Sequence, residues 1–156
     1  MSLRELCQHY AEATAIYLAA TDVALAHLDR IDRHDSEHWS ARQVIHHMAD
    51  SETQSGIRLR RLLAEPRGCD IQGYDEDAWA RVPSLGYESL PIEPSIEVVR
   101  AVRATSLAIA ERLEPSDLER YGVHSESGRY DVAQWFDVYS NHPRFHAQQL
   151  LDALDL

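Results

Sequence analysis

The segment DVAQWFDVYSNHPRFHAQQLLDA, residues 131–153, decides the fold. Trp135, Val138, Tyr139, His142, His146, Gln149, Leu150 and Ala153 recur in steps of three and four, so they form one stripe of a helix. Asp131 precedes that stripe as an N-cap. His142 and His146 lie one turn apart on the stripe and aim both imidazoles the same way. Pro143 sits between them, removes the helical hydrogen bond to the carbonyl of Tyr139 and predicts a kink. A helix with an inward histidine pair needs partner helices to cover it.

Three more helical segments answer that need. Leu6, Tyr10, Ala13, Tyr17, Ala24, Leu28 and Ile31 predict one long amphipathic helix from Leu3 to Ile31, ending in the polar run Asp32–Ser36. Ser40 and Gln43 make a capping box, with Trp39 placed to staple onto Val44. The stripe Val44, His47, Met48, Ser51, Ser55, Leu59 and Leu62 then runs until Pro66 and Gly68. A further helix follows Pro94 and Ser95, with Val98, Val99, Val102, Ser106, Ile109 and Leu113 inward, and closes at Pro115. No period-2 run is long enough to predict a sheet, although Gly122 and Ser127-Gly128 allow a small hairpin or loop in the Glu114–Tyr130 connection.

The expected fold class is all-α, a four-helix bundle in one domain over residues 1–156. Glu65 and Ser95 are joined by roughly 30 residues, long for a compact domain. Such a crossover makes helices two and three of the bundle parallel neighbours rather than a hairpin. It contains Tyr74-Asp75-Glu76-Asp77-Ala78-Trp79, a helical turn with an aromatic anchor.

Charge and composition narrow the function. With 15 basic and 26 acidic residues the formal charge is -11, which repels nucleic acid and anionic membranes. All the basic residues are arginine, so lysine Schiff-base chemistry is excluded. Cys7 and Cys69 are too few for a disulfide framework, Cys7 reading as core and Cys69 as loop. No signal core or membrane span is recognised, and the expected compartment is the cytoplasm.

Of the nine histidines, His9, His27, His34, His38 and His124 fall on polar faces or loops, and His46 points about 100° from His47. His47, His142 and His146 face inward. Three imidazoles buried without partners are costly, and one metal ion satisfies all three lone pairs. Three neutral nitrogens with a position left open describe a catalytic site. Asp50, three residues after His47, is a candidate base or orienting group, and Arg144 a candidate for a substrate carboxylate.

The stretch Trp39-Ser40-Ala41-Arg42-Gln43-Val44-Ile45-His46-His47-Met48-Ala49-Asp50-Ser51 resembles the DinB/YfiT-like superfamily, closest to its YfiT branch. Tyr74–Ala80, Val123–Gly128 and the histidine pair before Ala147 resemble it too, in the same order. That branch is assigned to metal-dependent hydrolases and bacillithiol S-transferases. Asn141, Pro143 and Phe145 depart from its pattern. The resemblance implies a four-helix bundle, zinc or nickel on His47, His142 and His146, and a homodimer. It implies a small thiol as co-substrate and an electrophile as its target. The leading expectation is a metal-dependent thiol S-transferase. The alternatives are a hydrolase with a metal-activated water, a non-catalytic metal- or ligand-binding stress protein, and a plain helical interaction module.

Overall fold

The computed structural model describes residues 1–35 and 37–156; Ser36, the last of the polar run, lies outside the described residues. Four long helices carry the fold: α1 (Leu3–Ala26), α2 (Ala41–Ala64), α4 (Glu93–Ala110) and α5 (Val132–Ala153). A short α3 (Glu76–Arg81) lies in the crossover. Three strands, β1 (Cys69–Ile71), β2 (Tyr121–His124) and β3 (Gly128–Asp131), form a small sheet. The architecture is the expected four-helix bundle; β2 and β3 form the small hairpin that the Glu114–Tyr130 connection allowed, and their extension by β1 into a sheet corrects the expectation of none.

Local chemistry sets the helix starts. Ser2, Ser40 and Asp131 each accept from the backbone N–H three residues on, and Glu5, Gln43 and Gln134 reciprocate as complete capping boxes. Helix α1 ends at Ala26 rather than Ile31, and a single 3₁₀ turn over Leu28–Arg30 follows. That turn leaves Leu28 52% exposed while Ile31 drops into the core at 1%.

Cross-contacts give the topology. His46 meets Ser95, Glu52 meets Arg103, and Gly56 lies against Val102 and Ser106, so α2 and α4 run parallel. The crossover imposes this by returning the chain to the end where α2 began. Tyr10 stacks on Trp135, Glu12 pairs with Arg144, and Arg30 reaches the carbonyl of Leu154, so α1 and α5 are parallel too. The two pairs oppose each other: Ser55 takes the Trp135 indole N–H while His47 lies with His146.

The sheet clips the crossover to one end of the bundle. β1 pairs parallel with β2, and β2 antiparallel with β3. Gly122 is required at this pairing, since a Cβ there would lie 2.5 Å from the carbonyl oxygen of Cys69.

One buried cation ties all four long helices together. Arg103 is 1% exposed and donates to Glu52 Oε1 on α2 at 2.5 Å and to Thr14 Oγ1 on α1 at 2.6 Å. It also donates to the carbonyls of Tyr10 and Tyr139, each at 3.0 Å. The Tyr139 carbonyl is the one that Pro143 leaves without a helical donor. Arg103 therefore completes a hydrogen bond that the proline removed.

Candidate metal centre

His47 comes from α2, and His142 and His146 come from α5. Their donor nitrogens all lie within 4.8 Å of one another. Nε2 of His142 is 2.9 Å from Nε2 of His146 and 3.4 Å from Nε2 of His47. Two ligands on one cation at ~2.0–2.1 Å stand roughly 2.9 Å apart at a right angle and 3.4 Å apart at a tetrahedral one. The observed spacings match those edges.

Protonation favours the same conclusion. Nδ1 of His146 faces the Gln149 carboxamide oxygen at 2.7 Å and must donate to it, so Nε2 carries the lone pair. Burial lowers the pKa of His47 to about 3, helped by His146. Burial, then the neighbouring His146 and His47, lowers His142 to about 2. Burial lowers His146 to about 4 against the opposing Gln149 bond. Three neutral imidazoles with converging nitrogens form a donor set that suits a divalent cation of borderline softness.

The surroundings hold this set in place. The Trp39 ring packs edge-on to His47 with centroids 5.1 Å apart. The Tyr74 hydroxyl lies 3.4 Å from His47 Nδ1. Glu76, the first residue of α3, puts Oε2 3.7 Å from His47 Nε2. Burial, then Asp77, Asp75 and Glu126, raises the pKa of that carboxyl. A cavity of about 310 Å³ opens beside His142, walled in part by Ser51, Arg58, Tyr74 and Glu76.

The two remaining candidates are paired with other side chains. Asp50 accepts the Tyr87 hydroxyl at 2.6 Å, and Tyr87 packs against His46 with centroids 5.8 Å apart. Asp50 therefore anchors the crossover onto α2. Arg144 pairs with Glu12 at 3.3 Å and lines a groove with Ile16 and Ala20 between α1 and α5, away from the cavity beside His142. His46 is buried as well, at 6%, with Nδ1 on Ser95 Oγ at 2.8 Å and Nε2 on the Leu90 carbonyl at 3.2 Å. Its ring holds the start of α4 rather than joining the cluster.

Three groups at the site were legible but not read as functional. Gln149 follows His146 by three residues on the same stripe. Arg58 follows His47 by eleven, about three turns, which returns it to the same face. Glu76 sits in the segment already marked as a helical turn, but nothing in the sequence says which way that turn folds.

Comparison with known proteins accords with this geometry. A sequence profile of the DinB superfamily matches residues 4–150. A protein of Oceanobacillus iheyensis, provisionally named a metal-dependent hydrolase, is 35% identical over 108 residues, covering 69% of this chain and 60% of that protein. A Bacillus mycoides protein of the same provisional name is 32% identical over 112 residues, covering 72% and 62%. The chain thus spans about 60% of the length of these curated relatives. The solved structure of YfiT from Bacillus subtilis is described provisionally as a metal-dependent hydrolase with an unusual four-helix bundle topology. It superposes with a TM-score of 0.84 at 22% identity, over 98% of this chain and 87% of that one. The fold and the profile agree: this chain belongs to the DinB superfamily.

Proposed function

We propose that this protein is a metal-dependent enzyme in which His47, His142 and His146 hold one divalent cation, and that it transfers a small thiol to an electrophile. The carrying observation is the convergence of three neutral imidazole nitrogens at 2.9 and 3.4 Å beside an open cavity. The cation, when bound, supplies Lewis-acid activation of a nucleophile at its open position.

The remaining chemistry belongs to the chain. Gln149 fixes the His146 tautomer, and Trp39 sets the His47 ring. Glu76 Oε2, beside His47 Nε2, is placed to take the proton of the incoming nucleophile. Tyr74 and Tyr139 line the cavity and give it an aromatic wall beside His142. A cavity of about 310 Å³ has room for a nucleophile larger than water, which favours the thiol.

Hydrolysis is the second reading, favoured by the names of the relatives. The first experiment is elemental analysis of protein purified without a metal-affinity tag, for wild type and His146→Ala. About one equivalent of zinc or nickel, lost in the variant, is expected. Thiol consumption with an electrophilic dye, run beside an ester substrate, then separates transfer from hydrolysis. Absence of metal after incubation with each divalent ion would overturn both readings.

A further inference from the structure

The cavity beside His142 contains one cation and more donors than the protein uses. Arg58 carries five N–H donors. Its Nη1 donates to the Tyr139 hydroxyl at 3.0 Å and its Nη2 to the carbonyl of Gln72 at 2.8 Å. The other three donors have no hydrogen-bond acceptor among the described residues, and Nε is screened from solvent. Tyr130, only 6% exposed, shares the cavity wall, and its hydroxyl is also without a partner. Nε and the Tyr130 hydroxyl are closed off from the cavity, so the Nη donors that Tyr139 and Gln72 leave free are the ones open to a ligand acceptor there, and a charged acceptor makes the stronger bond.

The charges in the wall define that ligand. The same wall carries two carboxylates, Glu76 and Glu126, so with Arg58 its net charge is -1 when the imidazoles are neutral. A divalent cation on the three histidines brings the site to +1, which a single negative charge neutralises. A dianion such as a phosphate monoester would leave the site net negative and crowd the same two carboxylates. A planar carboxylate also matches the guanidinium fork.

The geometry points to Arg58 as the anchor for the carboxylate of a small, singly charged substrate whose other end reaches the metal. This inference rests on the metal-centre reading above and assigns the anion-holding role to α2, not to Arg144. The anchored group also has a built-in consequence for the crossover. Arg58 already grips the Gln72 carbonyl, so substrate and crossover share one side chain.

The test uses cobalt(II)-loaded full-length protein, with binding read from the visible ligand-field spectrum. Mercaptoacetate, 3-mercaptopropionate and 6-mercaptohexanoate are titrated beside the mercapto-alcohols of matched length. The thiol reports on the metal, and the carboxylate reports on Arg58. At one chain length the acid is expected to bind about 10-fold or more tighter than its alcohol, the scale of one charge-assisted contact. That preference should collapse in Arg58→Met and survive in part in Arg58→Lys, with cobalt stoichiometry unchanged. Equal binding of acid and alcohol by wild type at every length overturns the anchor while the metal centre stands. A wild-type protein that takes up no cobalt overturns the metal-centre reading and the anchor with it. Should Arg58→Met fail to fold, the wild-type ratios and Arg58→Lys decide the matter alone. Inorganic phosphate that competes better than acetate would also overturn the choice of a monoanion.

Discussion

Replacing Arg103 with methionine should be among the most destructive single changes in this protein. The guanidinium is 1% exposed, and its partner Glu52 is fully buried. The substitution removes an ion pair at 2.5 Å and leaves the carboxylate in the core with no cation. It also strips donors from the Tyr10 and Tyr139 carbonyls. Breaking a buried pair from one side costs about 3–5 kcal/mol, a large share of the ~5–15 kcal/mol that holds a domain together. For a chain of this size that is a fall in Tm of roughly 6–20 °C. Guanidinium unfolding followed by circular dichroism gives the free energy, and the double variant Arg103→Met/Glu52→Leu tests the cause. Removing both charges should recover much of the loss, because the penalty lies in the stranded carboxylate more than in the missing attraction. Burial already raises the Glu52 pKa, against the opposing Arg103, and losing the arginine raises it further. A carboxyl whose folded pKa is raised is most stabilising when protonated, so the deficit of Arg103→Met should shrink as the pH falls. A single variant within about 1 kcal/mol of wild type would refute this reasoning. So would a double variant no better than the single.

Three further outcomes follow from the site. In metal-free protein, burial sets His47, His142 and His146 at about 3, 2 and 4. The unfolded chain takes up protons below ~6.5 that the fold refuses, so stability is full above that pH and lost as the pH falls. Three such groups cost about 3–4 kcal/mol between pH 7.5 and 5.5, and urea midpoints in the presence of a chelator should show it, less so in His142→Leu. Gln149→Leu should weaken metal affinity about 10–100-fold by releasing the His146 ring, measured by competition with a chromophoric chelator. Tyr87→Phe should cost about 1 kcal/mol and leave cobalt affinity unchanged, since the Asp50–Tyr87 bond secures the crossover and not the histidines.

Periodicity reads what repeats, and the long helices repeat. The capping boxes at Ser40 and Asp131, the stops at Pro66 and Gly68, and the three inward histidines are all visible along the chain. Gly122 and Ser127-Gly128 hinted at the β2–β3 hairpin, but strands of three and four residues leave no alternation to detect, and β1 pairs with β2 about 50 positions away in sequence, so the sheet was hidden. Arg103 escaped for a different reason. Apolar patterning puts an arginine outside, yet here Glu52, two backbone carbonyls and the Tyr10 ring, 3.8 Å from the guanidinium carbon, make the interior habitable for it. The same logic buries His46, whose two ring nitrogens both find partners across the crossover. Val98 and Val138, on the inward stripes by spacing, are 37% and 39% exposed because the bundle is narrower than the stripes. The histidine centre was legible because inward imidazoles at helical spacing have few uses. The setting of Asp50 and Arg144 was not, because Tyr87 and Glu12 are joined to them only by the fold.

Parallel pairing of neighbouring helices has a consequence for how the chain assembles. A bundle built from hairpins can zip locally, helix by helix. Here His47 meets His142 across 95 positions, and Arg103 reaches Tyr10 across 93. The loop entropy of those closures must be met before their contacts reward it, so this all-α protein should fold more slowly than its helix content suggests. On the ribosome, His47 emerges long before His142 and His146. The three imidazoles therefore converge only once α2 and α5 have docked.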